Sequence, residues 1–187
     1  MLIGSALIVC LLTVPLLGGR LSALADLTFR HVWLLPTGFG IQLLIVYVVP
    51  DWPAGVLNAV HVATYGFAAA FVFLNFRVPG VLVVACGGIS NFIAITANGG
   101  VMPASKSALA YAGLADTPGQ FASSTSVPDP NLLFLGDVFA VPASWPVANV
   151  YSVGDVLIVV GAFVLLHVAC GSRIAPVARR LAPTYQS

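Results

Sequence analysis

Two aspartates, Asp137 and Asp155, have the side-chain type and the setting that catalysis by paired acids would require. Asp137 lies in the apolar stretch Leu135-Gly-Asp-Val-Phe139, and Asp155 opens a later apolar segment. An acid in an apolar stretch costs free energy unless it is solvated, paired or protonated. Two neighbouring carboxyl groups can share one proton and activate a water molecule. The pair is therefore a candidate catalytic dyad, although Gly-Asp is also common in turns.

Ser152 gives Asp155 a competing structural interpretation. The spacing Ser152-x-x-Asp155 is that of a capping box, in which two side chains bond the free backbone N–H groups at a helix start. A carboxylate at this position also faces the positive end of the helix dipole. We expect Ser152 and Asp155 to cap a helix.

A third group of residues could pack helices or hold a ligand. Gly87 and Gly88 precede Asn91 in Gly-Gly-Ile-Ser-Asn. Small residues let helices approach closely, and an Asn side chain can form hydrogen bonds across the contact. Together with Asn149 and His61, these residues would either join helices or orient an apolar ligand in a pocket.

The histidines and cysteines do not predict a metal site, and no cofactor is expected. His61 and His167 would differ in depth by roughly 10 Å along their helices, so that one ion could not easily bind both. Hydrogen-bonded packing is the simpler role for each. The cysteines lie in apolar segments without a second ligand at metal-binding spacing. They are Cys10, Cys86 and Cys170.

Composition favours lipid as the solvent of the chain. Of its 187 residues, 59% are hydrophobic and 7% are charged, whereas a soluble domain has roughly 25% charged residues. We therefore expect residues 1–187 to form a single membrane domain in contact with the lipid bilayer. The net charge of +1 gives no reason to expect binding to nucleic acid.

Five apolar segments approach the roughly 20 residues that a helix needs to cross a bilayer. The sequence thus predicts an all-α, polytopic transmembrane helical bundle. The basic residues other than Lys106 would share one side, which places the N-terminus outside and the C-terminus in the cytoplasm. The predicted spans are residues 2–18, 32–49, 55–76, 79–97 and 154–171.

The connection from about residue 98 to residue 153 is predicted to be a large outer loop. Residues 105–114 could form a short helix at the membrane surface. Residues 117–130 are rich in Ser, Thr, Pro and Gly and are typical of a mobile loop. Residues 131–151 are more apolar, and we expect them to pack onto the helix ends.

Several strings of residues carry a resemblance that covers nearly the whole chain. They are Gly18-Gly-Arg-Leu-Ser-Ala-Leu-Ala-Asp26, Asn98-Gly-Gly-Val-Met-Pro-Ala-Ser105, Phe134-Leu-Gly-Asp-Val-Phe139 and Pro146-Val-Ala-Asn-Val-Tyr-Ser-Val-Gly-Asp-Val-Leu-Ile158. With them the chain resembles an uncharacterised family of small bacterial multi-span proteins, known only as a domain of unknown function. The resemblance implies a multi-pass protein of the bacterial cytoplasmic membrane and brings no activity with it.

The last two predicted spans show a weaker resemblance to the lipoprotein signal peptidases (signal peptidase II). That family has a Gly-Gly-rich helix with an Asn, then a first aspartate, and then an Asn before a second aspartate that opens the last helix. The residues in the same order here are Gly87, Gly88, Asn91, Asp137, Asn149 and Asp155. The resemblance implies an aspartyl peptidase with the two aspartates as catalytic residues. Ala94 and Ile95 stand where that family has an Asp-Arg pair.

Because no complete catalytic, metal or nucleotide motif is present, the sequence favours a protein without catalysis of its own. It predicts an accessory or scaffolding subunit of a larger bacterial membrane complex, whose partners are other membrane protein subunits. Small-residue helix faces at Gly66 and Ala70 and at Gly87 and Gly88 would make the contacts. Two alternatives stay open, an aspartyl intramembrane peptidase-like protein and a binder of a lipid, quinone or other hydrophobic ligand.

Overall fold

The structure, a computed structural model, describes residues 2–48, 52, 54–114 and 126–180. Within these ranges α-helices dominate, and two short 3-10 helices (Leu21–Asp26 and Leu133–Leu135) and one two-stranded sheet accompany them. The helices and strands are α1 (Leu2–Leu16), α2 (Leu34–Tyr47), α3 (Ala54–Asn75), α4 (Val81–Ala97), α5 (Lys106–Ala112), β1 (Asp137–Val141), β2 (Asn149–Ser152), α6 (Val153–Ala169) and α7 (Ala175–Arg180).

Helix α6 organises the helical part, because it packs against both α4 and α1. Helix α4 runs antiparallel to α6: Gly80, just before α4, faces Gly161, and Gly87 faces Gly154. These four glycines leave room for the two backbones to approach without intervening side chains. The α4–α6 pair is the most extensive packing interface within the described residues.

Helix α1 lies against α6 in the parallel direction. The Thr13 hydroxyl lies 3.2 Å from His167 Nε2, and one turn later the carbonyl of Leu17 accepts a hydrogen bond from the N–H of Arg173. Cys10 and Val14 form the buried side of α1. The opposite side of this short apolar helix is exposed.

Helices α2 and α3 form a second packed pair. The Gln42 side chain donates a hydrogen bond to the Thr64 hydroxyl across the pair. Asn75 lies at the end of α3, and its side chain is buried. It accepts a hydrogen bond from the Arg30 N–H at 2.8 Å and donates one to the Arg30 carbonyl at 2.9 Å. Asn75 thus fixes the chain that leads into α2 against the end of α3.

The strands form an antiparallel ladder that α5 covers. Asp137 pairs with Ser152 and Val141 with Asn149, and the register is irregular between Asp137 and Phe139. Helix α5 packs on this ladder through a small apolar core of buried residues. That core consists of Ala104, Ala108, Leu109, Ala112 and Val150.

The predicted transmembrane bundle is wrong. Among the helices that the structure describes, none is both long and apolar enough to cross a membrane. Helices α1, α2, α4 and α6 have 15, 14, 17 and 17 residues, about 21–26 Å at 1.5 Å per residue, whereas a hydrocarbon core is about 30 Å thick. The five-span topology, its orientation and the location in a bacterial inner membrane lose their structural basis with it.

The apolar segments looked longer in the sequence because they include residues that turn the chain. Gly18, with a φ of 75°, follows α1, and Gly80, with a φ of 89°, precedes α4. The sequence does not show that such residues end the helices, because that is visible only in the folded backbone. Helix α3 has 22 residues, but Asn58, His61 and Thr64 interrupt its apolar run.

The predicted all-α class is also wrong, because the region predicted as a loop contains both strands. Pro142 and Pro146 in the connection between the strands favoured an irregular segment. The ladder forms on a tertiary surface instead, since α5 and the start of α6 cover it. Of the predicted mobile loop, residues 117–125 lie outside the described residues.

Candidate functional site

The candidate site is the junction where β2 leads into α6. Ser152 is the cap residue of α6, and its hydroxyl accepts a hydrogen bond from the N–H of Asp155 at 3.0 Å. Asp155 Oδ2 accepts in return from the N–H of Ser152 at 3.1 Å. The two residues form a reciprocal capping box, which satisfies two backbone donors at the start of the helix.

Asn91 of α4 extends the capping box across the helix interface. Its Nδ2 donates to Asp155 Oδ1 at 2.8 Å, and its Oδ1 accepts from the Ser152 hydroxyl at 2.8 Å. The three side chains and the two backbone N–H groups thus form a closed hydrogen-bond network. Such a network rigidifies its surroundings when every member is satisfied.

Glycines make room for this network. A side-chain carbon on Gly154 would lie 2.0 Å from Asn91 Oδ1, and one on Gly87 would lie 2.4 Å from the Gly154 carbonyl oxygen. No real side-chain carbon tolerates such distances, so glycine is required at both positions. Gly88 differs, because a side-chain carbon there meets no atom within 4 Å.

Asp137 lies beside this junction. Its backbone is paired with Ser152 in the β-ladder. Its N–H donates to the Pro103 carbonyl at 2.9 Å, and its carbonyl accepts from the N–H of Ser105 at 3.0 Å. Asp137 is 4% exposed. The fold therefore brings the two predicted aspartates to one corner of the molecule, through Ser152.

The hydrogen bonds at this corner favour a structural role for Asp155. Both of its carboxylate oxygens accept bonds that hold the helix start or the α4–α6 interface. An acid that activates water must instead have an oxygen within reach of that water. The arrangement is well suited to locking α4, β2 and α6 together.

Asn149, Gly66 and Gly88 lie apart from this network. Asn149 is at the far end of β2, where its side chain accepts from the N–H of Val150 at 3.0 Å. His61 is in α3, and its side chain lies outside the described residues. Gly66, like Gly88, faces open space. The structure thus joins Asn91, Ser152 and Asp155 and leaves Asn149, Gly66 and Gly88 outside.

A buried hydrogen-bond chain around His167 lies at the other end of α6. The Thr13 hydroxyl donates to the Cys10 carbonyl at 2.7 Å, so it is placed to accept from His167 Nε2 at 3.2 Å. Ser172 Oγ lies 2.9 Å from His167 Nδ1 and is then the donor there. With Nε2 as a donor and Nδ1 as an acceptor, the His167 ring is a neutral imidazole. Desolvation lowers the pKa of the fully buried His167.

Sequence reasoning gave His167 a hydrogen-bonded packing role but did not identify its partners. Thr13 lies in a different helix, and Ser172 follows the left-handed Gly171. Cys10 and Cys170 are buried near this chain, and desolvation raises the pKa of both thiols. The only signal in the sequence was the presence of polar residues within apolar segments.

Across the described parts of the chain, no three His, Cys, Asp or Glu residues are placed so that they could hold a metal ion.

Comparison with known proteins gives a family but no activity. No curated protein and no solved structure shows significant similarity to the chain. One family model matches residues 26–167, a range that holds α2 to α5, both strands and most of α6. The prediction of an uncharacterised family is thereby confirmed. The chain belongs to a family of unknown function (DUF5317).

Proposed function

We propose that the protein is a non-catalytic accessory or scaffolding subunit of a larger bacterial protein complex, and that it acts by packing exposed apolar helix faces against a partner. The observation that supports this most directly is the surface of α1. Along one stripe of this helix, the apolar side chains are 59% to 78% exposed. They are Ile8, Val9, Leu12 and Leu16.

Helix α2 carries a similar stripe. Phe39 and Tyr47 are 65% and 77% exposed, and Leu35 and Leu43 belong to the same face. Residues four apart lie on one side of a helix, so each stripe is a continuous apolar surface. Burying apolar surface contributes about 25 cal/mol per Å². Large exposed apolar patches are typical of surfaces that bind another molecule.

The polar residues of the candidate site support the same proposal. Asn91, Ser152 and Asp155 bond one another across the interface of α4 and α6. A rigid α4–α6 core of this kind is what a scaffold requires, because it holds the apolar faces of the other helices in place.

Site-specific crosslinking in the native complex tests the proposal. A photoreactive amino acid would replace Leu12 or Phe39, and the exposed Lys106 would serve as the matched control position. We expect Leu12 and Phe39 to crosslink to the same partner in stoichiometric yield, and Lys106 to give no such product. Native mass measurement of the unmodified protein should show the same partner.

Two results would refute the proposal. One is equal crosslinking from all three positions. The other is a native mass corresponding to a lone monomer or to copies of this chain alone. In either case, hydrolysis of membrane-protein peptides would be assayed with Asp137→Asn and Asp155→Asn, which remove the acids that a peptidase needs.

A further inference from the structure

Four exposed arginines lie at the C-terminal end of α6, and we infer that this surface binds a carboxylate-rich segment of the partner protein. We call this surface the arginine end. Its members are Arg20, Arg30, Arg77 and Arg173. The inference rests on the proposed function, because it specifies the chemistry of the partner that the apolar faces bind.

Backbone hydrogen bonds bring Arg20 and Arg173 together. The N–H of Arg20 donates to the Cys170 carbonyl at 3.0 Å, and the N–H of Arg173 donates to the Leu17 carbonyl at 2.9 Å. Both arginines therefore lie where the C-terminal ends of α1 and α6 meet. Both side chains are exposed, and that of Arg173 lies beside Gly18, where a side-chain carbon would be 3.5 Å from Arg173 Nε.

The other two arginines reach the same end through α3. Asn75 holds Arg30 by two hydrogen bonds, and Arg77 follows Asn75 in the turn that leads to Gly80. A side-chain carbon on Gly80 would lie 2.9 Å from the backbone nitrogen of Leu165, which places this turn beside the last turns of α6.

The arginine end has little carboxylate to neutralise it. In the described ranges, none of its guanidinium groups is paired with an acid, and Asp26 is the acid that shares this end of the fold. Asp137 and Asp155 lie at the opposite end of α6. The charges are thus separated along the length of α6, although the net charge of the chain is only +1.

The cations at this end are suited to anions such as carboxylates, which a guanidinium can bind through two hydrogen bonds. The single lysine of the sequence, Lys106, lies elsewhere, and all the basic groups here are guanidinium groups. A guanidinium forms two parallel hydrogen bonds to a carboxylate with a defined geometry. Several arginines distributed over one end suit an extended acidic segment better than a single small anion. A guanidinium pairs with phosphate in the same two-pronged way, so the choice of carboxylates rests on the proposed function, in which the partner is a protein.

Binding of an acidic peptide to the full chain tests this inference. The probe is a fluorescent hexaglutamate peptide, whose anisotropy is measured at low and at physiological salt. Arg77→Glu and Arg173→Glu should each weaken binding about fivefold or more and should reduce its salt dependence. Arg77→Lys, which keeps the charge but not the two-pronged geometry, should have an intermediate effect. Lys106→Glu is the matched charge reversal and should leave binding unchanged.

Three outcomes would overturn the inference: no binding of the peptide, equal weakening by Lys106→Glu, or tighter binding of inorganic polyphosphate with the same number of charges. Circular dichroism of each variant separates a loss of binding from a loss of folding. The proposed function is judged by a different readout, the crosslinks from Leu12 and Phe39. If those crosslinks persist while the peptide fails to bind, only the inference about the arginine end is wrong.

Discussion

A side-chain carbon placed on Gly87 would lie 2.4 Å from the carbonyl oxygen of Gly154, so this pair of glycines sets the distance between α4 and α6. The same carbon would lie 2.9 Å from the backbone nitrogen of Ile158. Both neighbours are backbone atoms, which cannot rotate away. The contact therefore cannot adjust without moving one helix, and it supports the Asn91 network beside it.

Gly87→Ala should accordingly destabilise the protein. Overpacking of this kind costs typically about 1–3 kcal/mol, and we expect a value at the upper end because backbone atoms are involved. Urea unfolding followed by circular dichroism measures the change. Gly88→Ala is the matched control, since it faces open space. Alanine favours a helix over glycine by about 1 kcal/mol, so the control should be neutral or stabilising. Equal destabilisation by both variants would contradict the packing described here.

Asn91→Ala should destabilise the start of α6. The Ser152 hydroxyl and one Asp155 oxygen would each lose a partner, and an unsatisfied buried polar group costs about 1–3 kcal/mol. A double-mutant cycle with Asp155→Ala measures how strongly the two side chains are coupled. We expect a coupling free energy of about 1 kcal/mol or more. Strictly additive effects would show that the network does not act as a unit.

The stability of the protein should fall when the pH drops below about 6.5, the usual pKa of histidine. Burial lowers the pKa of His167 in the folded state. Between the folded and the unfolded pKa, the unfolded chain therefore binds a proton that the folded chain does not. One such group changes the free energy of unfolding by at most about 1.4 kcal/mol per pH unit. Above about pH 7 the imidazole is neutral in both states, so that its ionisation no longer changes the free energy of unfolding.

His167→Gln removes this titration, and unfolding free energies measured from pH 5 to pH 8 test it. The variant should show a shallower pH dependence than the original protein, whatever its overall stability. His31→Asn is the matched control, because His31 is exposed and its φ of 51° suits asparagine. An unchanged slope in His167→Gln would mean that other groups cause the pH dependence.

Asn75→Asp should separate the chain before α2 from the end of α3. The Asn75 amide donates to the carbonyls of Arg30 and Phe71, and an ionised carboxylate can donate to neither. With Asn75 only 2% exposed, we expect a loss of about 2–4 kcal/mol. Asn98→Asp breaks comparable bonds to Ala94 and Asn131 in a more exposed setting and should cost less. Amide hydrogen exchange near Arg30 would show whether the effect is local.

Some features of this protein could be predicted from the sequence because they depend on neighbouring residues. Ser152 and Asp155 are three positions apart, and a capping box needs only that spacing and a helix that follows. Each of the five apolar segments coincides with one of the long helices to within two residues at either end, since an apolar run that is buried needs a regular backbone whose hydrogen bonds are paired within the segment. Family membership could be inferred for a similar reason, because it depends on the order of residues along the chain.

The tertiary structure alone decided how these elements meet. Composition suggested a lipid environment, but helix length depends on where Gly18 and Gly80 turn the chain, and apolar content does not fix that point. The ladder of β1 and β2 was not predicted, because strands this short depend on the surface that α5 and α6 provide. Asn91 accepts a hydrogen bond from Ser152, although the two residues are far apart in sequence. Such contacts depend on the pairing of whole helices, and no local pattern of residues encodes that pairing.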